Sequence, residues 1–387
     1  MSYCKICGEY NCKKHSFLIS KSQKIQKFSG SSPPEIFVGK WNYPNVYAGV
    51  LSPTEHGDTS LMSSPEEWHK NKLSISSILT LRNKLIYGRQ QKNVHAVLTE
   101  KKFLPVIQEI AMSEKPVSAE YELEKPITKN SENDSLVPLI SKAAQIKKVI
   151  IQENIPIRKK IDYLVNDTDV KSVSALLELE KHKISNSSLI KLLSAGLLGL
   201  KKNRKMVPTR WSITAVDDTL SKEKLKEIKL SNEIVEFQVF HAEYLGNHYE
   251  FLLLPEKFSF EVIEISLKSF GVWQDYESFF PRKKYADSVT GAYYANRLAL
   301  TEYLQKIKKQ SSCLVFREIR PEYTEPLGVG ILRETSRNAF SNPPEIFNTL
   351  KEALQNIQLR LKQPISNYTK KSKILKDFKN QTKLSNF

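Results

Sequence analysis

The stretch IVEFQVFHAEYLGNHYEFLLLPEKFSFEVIEIS, residues 234–266, is the strongest indication of the fold class of this chain. Apolar and aromatic residues fill runs of strand length, and Gly246 lies in a turn between two of these runs. The segment that follows carries Leu300 and Leu304 on a helical stripe, which predicts a helix from about Gly291 to Lys309. Strands followed by a helix that can cover them predict a mixed α+β globular body.

Shorter patterns predict further elements before this stretch. The runs Ile36–Val38 and Val46–Val50 flank a proline turn and predict a hairpin. Residues 169–200 hold apolar side chains at helical spacing in two blocks, which predicts two helices. Ser64 precedes Pro-Glu-Glu, a helix-start signal, and predicts a helix that continues through residues 73–85.

The pentapeptide PPEIF occurs twice, at residues 33–37 and 343–347. The second copy follows the capping residue Asn342 and leads into apolar residues at helical spacing, so it predicts the start of a helix. The first copy leads into Val-Gly and a proline turn, so it does not. The segment GVGILRE, residues 328–334, predicts a strand.

The chain is strongly basic. It has 387 residues, enough for two or three domains, and 40% of them are hydrophobic, which is an ordinary globular composition. The formal net charge is +17, and the pI is about 9.4. A polyanion is the commonest partner of such a surface, because lysine and arginine neutralise phosphates and release counterions. A solvated basic surface without a partner is the alternative.

No stretch of the sequence is long and apolar enough to predict a transmembrane helix. The most apolar stretch, residues 189–200, is too short to cross a bilayer and contains Lys191. The N-terminal residues MSYCKICGEY hold no apolar signal region. We therefore expect a cytoplasmic, nucleoid-associated protein with no membrane partner.

Three of the four cysteines lie within the first twelve residues. Cys4 and Cys7 form a C-x2-C pair, and Cys12 and His15 form a C-x2-H pair. Three thiolates and one imidazole match the tetrahedral ligand set that Zn²⁺ prefers, and four protein ligands leave no open position. The pattern predicts a structural zinc knuckle over residues 1–16, with incidental thiols as the alternative.

A basic segment follows the two predicted helices of residues 169–200. Its cationic residues are Lys201, Lys202, Arg204, Lys205 and Arg210. They precede or adjoin Trp211, and a basic loop with an aromatic residue at its end is typical of phosphate and base contact. The segment is the best local candidate for binding nucleic acid. A solvated basic turn with Trp211 in the core is the alternative.

The residues Ser29-Gly30-Ser31-Ser32 predict a loop of small residues. Such loops can present backbone N–H groups to an anion. This one lacks the lysine and the glycine spacing of a P-loop, so a plain turn is an equal interpretation.

Polar residues in the second half include candidates for a catalytic site. Asp275 and Glu277 are two positions apart, so on a strand both carboxylates would point to the same face. Arg317 and Glu318 lie at the end of another predicted strand. Acidic pairs can hold Mg²⁺ for phosphodiester chemistry. The alternative is that arginine and glutamate on paired strands form cross-strand ion pairs.

Several blocks of the chain together resemble the archaeal Nre family of DNA repair proteins. The blocks are FSGSSPPEIFVGKWNYPNV, DTSLMSSPEEW, RKMVPTRWSITAVDD, VWQDYES, GAYYANRLALTEYL and REIRPEYTEPLGVGILRE. The resemblance runs over nearly the whole chain. It implies a role in the response to DNA damage, a cysteine-rich N-terminus and a C-terminal peptide that binds the sliding clamp PCNA. It supplies no catalytic residues.

The last seven residues, QTKLSNF, fit most of the clamp-binding pattern that this resemblance implies. Gln381, Leu384 and Phe387 fill its glutamine, aliphatic and first aromatic positions, and the second aromatic position is not filled. Residues three apart share one face of a 3₁₀ turn, so the three side chains can enter one site together.

A helical stripe of Ile374, Leu375 and Phe378 precedes this peptide, and at 100° per residue Leu384 and Phe387 do not continue it. Residues 362–387 hold seven lysines and one acidic residue, which favours a flexible tether. A terminal helix docked on the body of the protein is the alternative.

These observations predict four parts: a zinc knuckle at 1–16, an N-terminal domain at 17–230, a C-terminal α/β domain at 231–364 and a flexible basic tail at 365–387. The predicted function is that of a DNA repair factor that binds DNA and is recruited to PCNA. A metal-dependent enzyme acting on nucleic acid or nucleotide, and an RNA-binding protein, are the alternatives.

Overall fold

The computed structural model describes residues 25–127, 140, 143–269 and 271–380. The chain divides into two compact units. The first unit is formed by residues up to Thr219 together with Thr324–Gly330, and the second by Leu220–Tyr323 and the residues from Ile331 onward. The change of unit after Thr219 falls eleven residues before the position 230/231 that the sequence predicts as a boundary.

A six-stranded sheet forms the centre of the first unit. Its strands are β1 (Lys27–Ser32), β2 (Glu35–Val38), β3 (Asn45–Ser52), β4 (Ile86–Asn93), β5 (Val117–Leu123) and β6 (Ala143–Ile151). They lie in the order β1-β5-β6-β4-β3-β2, and all neighbours are antiparallel except β4 and β6. The predicted hairpin is confirmed, because β2 and β3 pair directly.

Short helices accompany this sheet. They are α1 (Pro65–Lys70), α2 (Ile75–Asn83), α3 (Leu104–Met112), α4 (Lys159–Asn166), α5 (Ser172–Lys181) and α6 (Asn186–Ser194). The helix α7 (Thr209–Ile228) begins in the first unit and ends in the second. Short 3₁₀ helices lie at Ser60–Met62, Val94–Leu98 and Lys201–Asn203. The two helices predicted within residues 169–200 are confirmed as α5 and α6.

The second unit is built on another six-stranded sheet. Its strands are β7 (Phe237–Tyr244), β8 (Asn247–Leu254), β9 (Ser259–Ser266), β10 (Val272–Glu277), β11 (Ser312–Ile319) and β12 (Glu345–Phe347). Their order is β10-β9-β11-β8-β7-β12, and β9 and β11 are parallel. The predicted turn joins β7 to β8 at Leu245 and Gly246, both with positive φ.

Helices cover both faces of this second sheet. They are α8 (Gly291–Ile307), α9 (Val329–Ser341), α10 (Leu350–Arg360), α11 (Ser366–Thr369) and α12 (Lys373–Asn380). Val262 and Val315 belong to one hydrophobic core, which includes residues of α8. Their neighbours Ile263 and Leu314 belong to a second core with residues of α10 and α12. The prediction of a mixed α+β body is confirmed. None of the described helices is long and apolar enough to span a bilayer.

Two predicted elements near the C-terminal part are wrong. Residues 329–334 of this segment form the start of α9 rather than a strand, because the buried side chains continue at helical spacing to Ala339. The second PPEIF copy does not open a helix, since its last three residues pair with β7 as β12. Helix α10 begins later, behind Thr349 and Glu352, which form a complete capping box.

Two predictions for the first unit are also corrected. Ser64 does cap a helix, but that helix ends at Lys70, and Ser74 caps a separate helix, α2. Ser29–Ser32 belong to the strand β1 and not to a loop. Gly30 is needed there, because a Cβ atom would lie 2.0 Å from the carbonyl oxygen of Pro53. The strand β1 pairs with β5 at one edge of the sheet, and Ser31 N donates to the carbonyl oxygen of Glu55 at 2.9 Å.

Residues 366–380, predicted as part of a flexible tail, are folded. They form α11 and α12, and Ile374 and Leu375 are buried in the second core. Phe378 lies edge-on to Phe237 with 5.8 Å between ring centroids. The alternative of a docked helix is therefore confirmed up to Asn380.

Candidate nucleic-acid interface

The basic segment predicted to bind nucleic acid connects α6 to α7 and is held in place by Arg204. The guanidinium group of Arg204 donates hydrogen bonds to the carbonyl oxygens of Gly199 (2.8 Å), Val165 (2.7 Å) and Asp167 (2.8 Å). Burial lowers the pKa of Arg204, and the nearby Asp167 charge raises it in part. Because three donors are used on backbone carbonyls, Arg204 shapes the segment rather than offering itself to a phosphate.

The other cations of the segment divide into two groups. Lys201, Lys202 and Lys205 are exposed to solvent. Arg210 is half-buried and interacts within the protein. The structure therefore brings three of the five predicted cations to the surface, and the lysines are the ones able to neutralise phosphates.

Trp211 lies at the surface beside a second aromatic ring. Its side chain is 44% exposed, and its ring centroid is 5.2 Å from that of Tyr43, which is 41% exposed. The Nζ atom of Lys205 donates to the Tyr43 hydroxyl at 3.3 Å. The alternative that Trp211 belongs to the core is wrong.

A third exposed ring lies on the same turn as Tyr43. Trp41 is 68% exposed, and the Nζ atom of Lys40 is 4.7 Å from its ring centroid. The turn is closed by a hydrogen bond of 2.8 Å from Asn45 N to the carbonyl oxygen of Asn42, whose φ is 61°. We call Lys40, Trp41, Tyr43, Lys205 and Trp211 the aromatic-basic patch.

Backbone hydrogen bonds connect the two segments that form this patch. Val94 N donates to the carbonyl oxygen of Pro44, and Met206 N donates to the carbonyl oxygen of Val94, each at 2.9 Å. Val38 N donates to the hydroxyl of Thr209 at 2.9 Å. The turn and the start of α7 are therefore fixed against each other before any ligand binds.

Reasoning from the sequence located Trp211 and its lysines but missed Trp41 and Tyr43. The spacing of residues 42–45 predicts only a proline turn. The signal that could have found them is the pair of large aromatic residues in a turn, where small and polar residues are usual.

The candidate catalytic residues Asp275 and Glu277 both lie on β10 and share one face, as predicted. Each is buried and bound to an arginine: Asp275 Oδ1 is 2.9 Å from Arg282, and Glu277 accepts two bonds of 3.0 and 2.9 Å from Arg297. These carboxylates are neutralised by guanidinium groups within the protein.

Arg317 and Glu318 lie on β11 and point to opposite faces of the sheet. Arg317 pairs with Glu264 on the parallel strand β9 at 2.5 Å and also donates to Asn247 at 2.6 Å. Burial raises the pKa of Glu264, and the Arg317 charge lowers it in part. The predicted alternative of a cross-strand ion pair is therefore confirmed for Arg317.

Glu318 has a different structural role from the other three candidates. Its carboxylate accepts hydrogen bonds from the backbone N–H groups of Lys362 (3.1 Å) and Gln363 (2.7 Å), and from Arg320. Since alternate residues of a strand face opposite ways, Glu318 does not converge with Asp275, Glu277 and Arg317. Within residues 25–127, 140, 143–269 and 271–380, no cluster of three or more His, Cys, Asp or Glu side chains could hold a metal ion.

Two predicted sites lie outside the described residues. They are the zinc ligands Cys4, Cys7, Cys12 and His15, and the clamp-binding residues Gln381, Leu384 and Phe387. The remaining cysteine, Cys313, is a buried free thiol on β11, and burial raises its pKa.

The fold and the surface define a two-unit protein of mixed α and β structure with an exposed patch of aromatic and basic side chains. The chain belongs to the archaeal Nre family. The family model described as Archaeal Nre, N-terminal, matches residues 1–274, and the one described as Archaeal Nre, C-terminal, matches residues 277–387.

Three curated relatives show the extent of this similarity. A protein named DNA repair protein NreB from Archaeoglobus fulgidus is 35% identical over 91% of this chain and 90% of its own length. DNA repair protein NreA from the same organism is 37% identical over 90% of both chains. DNA repair protein NreA from Haloferax volcanii is 30% identical over 89% of this chain and 85% of its own length. No solved structure matches the chain.

Proposed function

We propose that this protein acts in DNA repair and binds DNA through the aromatic-basic patch. The role in DNA repair is supported by the relatives named DNA repair protein, since the similarity covers about nine-tenths of the chain. The observation that carries the binding site is the exposure of Trp41, Tyr43 and Trp211 next to lysines.

Large exposed rings and lysines suit the two chemical parts of a nucleic acid. Base–aromatic stacking supports binding without sequence preference, and lysines neutralise the phosphates on either side. The lysine that contacts Tyr43 and the lysine over Trp41 place cations within a few ångströms of both rings. The net charge of +17 adds a long-range attraction for polyanions.

The test is DNA binding by full-length protein with the rings removed. Fluorescence anisotropy with a labelled DNA strand should show weaker binding for Trp41→Ala and for Trp211→Ala, by about fivefold or more each. Tyr163→Ala is the matched control, because Tyr163 is 62% exposed and lies 5.4 Å from Lys160, yet that lysine is paired with Glu178. Equal affinity of all three variants and the unaltered protein would reject the patch as the binding site.

The same proposal includes recruitment to PCNA by the peptide Gln381–Phe387. The support is the fit of Gln381, Leu384 and Phe387 to the clamp-binding pattern and the lysines around them, which favour an acidic surface or clamp-bound DNA. Calorimetry of the full-length protein with an archaeal PCNA should detect binding that Leu384→Ala combined with Phe387→Ala abolishes. Unchanged binding of the double variant would reject this peptide as the attachment.

A structural Zn²⁺ held by Cys4, Cys7, Cys12 and His15 is part of the proposal. The donor set, three thiolates and one imidazole, supports it. Metal analysis should find about one zinc per chain in the unaltered protein and less in Cys4→Ser combined with Cys7→Ser. Equal zinc in both proteins would reject the site.

Binding of RNA is the second candidate function, because aromatic rings stack on RNA bases as they do on DNA bases. Competition between DNA and RNA strands of the same sequence across a series of salt concentrations decides between them. Tighter binding of RNA at every salt concentration would favour the RNA-binding alternative.

A further inference from the structure

The segment FFPRKKY, residues 279–285 of the second unit, forms an exposed loop between β10 and α8. Phe280 is 76% exposed and Tyr285 is 46% exposed. Lys283 and Lys284 are also exposed, and neither ammonium group makes an ion pair with any residue that the structure describes. The loop therefore presents aromatic rings and unneutralised cations together.

Arg282 fixes the loop from inside. Its guanidinium donates to the carbonyl oxygens of Tyr276 (2.9 Å) and Tyr285 (3.0 Å) and pairs with Asp275 Oδ1 at 2.9 Å. The guanidinium carbon lies 5.3 Å from the ring centroid of Tyr293. The two ends of the loop are thus tied to one another and to the sheet.

Asp275 also holds the residues that follow the loop. Its second oxygen, Oδ2, accepts hydrogen bonds from Ser288 N at 3.1 Å and Val289 N at 2.7 Å. A carboxylate that satisfies one guanidinium and two backbone N–H groups acts as the structural anchor of residues 282–289. This role explains the buried position of Asp275 without any bound metal.

The inner rings of the loop are packed, which leaves Phe280 free to contact a ligand. Lys229 donates to the carbonyl oxygen of Phe279, and its Nζ atom lies 4.9 Å from the Phe279 ring centroid. Burial lowers the pKa of Lys229. Tyr285 lies against Tyr294 with 5.3 Å between ring centroids. Phe280 lies edge-on to Phe279 with 5.9 Å between ring centroids, and otherwise faces solvent.

We propose that this loop is a second DNA contact, in which the Phe280 ring stacks on an unpaired base while Lys283 and Lys284 neutralise the adjacent phosphates. A ring flanked by cations matches the alternation of base and phosphate in a single strand. The anchored backbone means that little conformational entropy is lost when the loop binds. The inference rests on the proposed DNA function, but it concerns a different unit from the aromatic-basic patch.

The experiment measures binding of full-length protein to a labelled single strand and to a duplex of equal length by fluorescence anisotropy. Phe280→Ala should weaken binding to the single strand by about fivefold or more and leave duplex binding unchanged. Phe280→Trp should retain single-strand affinity. Leu359→Ala is the matched control, since Leu359 is 84% exposed in the same unit.

The lysines are tested through the salt dependence of the same binding. Lys283→Ala combined with Lys284→Ala should reduce the slope of log affinity against log salt by about 1.4 on a single strand, while Phe280→Ala leaves the slope unchanged. Lys351→Ala, an exposed lysine of α10, is the control for loss of one charge. Ultraviolet crosslinking to a strand that contains 5-iodouracil should attach DNA to Phe280 or Tyr285.

The possible outcomes separate this inference from the proposed function. If the unaltered protein binds no DNA, both are rejected. If it binds DNA and Phe280→Ala binds the single strand as tightly, with crosslinks confined to the first unit, only the loop contact is rejected. If Phe280→Ala weakens binding to the single strand and to the duplex equally, stacking of Phe280 on an unpaired base is rejected.

Discussion

Charged side chains have opposite environments in the aromatic-basic patch and in the sheet of the second unit. Lys205 is exposed and contacts the hydroxyl of an exposed Tyr43. Arg297 is buried and forms two bonds to Glu277. Both residues come from segments that also carry aromatic residues, Trp211 in the first and Tyr293 in the second. Sequence spacing therefore locates clusters of charge, whereas burial determines whether the charge is available to a ligand.

The largest expected effect comes from breaking a buried pair. Glu277→Ala leaves the Arg297 guanidinium buried without its carboxylate and should lower the free energy of unfolding by about 3–5 kcal/mol. Urea denaturation followed by circular dichroism measures this change. Asp287→Ala is the control, because Asp287 is an exposed carboxylate of the same unit and its loss should change stability by less than about 0.5 kcal/mol. Equal stability of the two variants would contradict the structural role of Glu277.

A second prediction concerns a buried group that is kept neutral. Burial, and to a smaller extent the charge of Lys72, lowers the pKa of His69 to about 4. Its pKa in the unfolded chain is about 6.5, so between these values the unfolded state binds more protons. The stability contribution is therefore complete above pH 6.5 and is lost as pH falls toward 4.

Comparison with His69→Gln isolates this contribution from other titrating groups. Between pH 7 and pH 4.5 the unaltered protein should lose about 2 kcal/mol more stability than the variant. Urea denaturation of both proteins at several pH values measures the difference. Parallel pH profiles would show that His69 titrates normally in the folded protein.

A smaller loss of stability is expected at the start of α12, where the buried carboxylate of Glu261 accepts hydrogen bonds. Glu261 accepts hydrogen bonds from the Ser372 hydroxyl (2.6 Å) and from the N–H groups of Lys373 and Ile374, and Leu375 N donates to Ser372 Oγ. Ser372→Ala should cost about 1 kcal/mol and increase hydrogen exchange in α12. Lys376→Ala, at an exposed position of α12, should change neither measurement. Unaltered exchange in Ser372→Ala would contradict the cap.

Long, strongly patterned elements could be predicted from the sequence, and short ones were decided by tertiary pairing. The helix α8 was expected from Gly291 to about Lys309 and runs from Gly291 to Ile307. The segment Gly328–Glu334 reads equally as a strand over seven residues, and only the buried residues further along show the helical period. The last three residues of the second PPEIF copy pair with β7 as β12. Backbone pairing at an open sheet edge here outweighs a local signal for a helix start.

The candidate sites show the same difference between what a local pattern predicts and what tertiary contacts determine. The shared face of Asp275 and Glu277 could be predicted, because strand alternation is local. Their partners Arg282 and Arg297 could not, since the loop and helix that carry them fold back over distances no spacing rule specifies. The position of the turn 41–45 beside Lys205 and Trp211 could not be predicted either, since Val94 connects them by backbone hydrogen bonds to Pro44 and Met206.

The smallest expected effect on stability belongs to the exposed lysines of the basic segment. Lys201→Ala combined with Lys202→Ala should change the free energy of unfolding by less than about 0.5 kcal/mol, because both side chains are solvated. The same variant should lower the slope of log affinity against log salt for single-strand DNA by about 1.4, because we expect these two lysines, which belong to the same basic segment as Lys205, to neutralise two phosphates beside the aromatic-basic patch. Lys181→Ala combined with Lys183→Ala, two exposed lysines of the same unit, is the control for total charge. If both double variants show the same slope, the attraction comes from overall charge, and the contrast between the basic segment and the buried pairs would apply to stability alone.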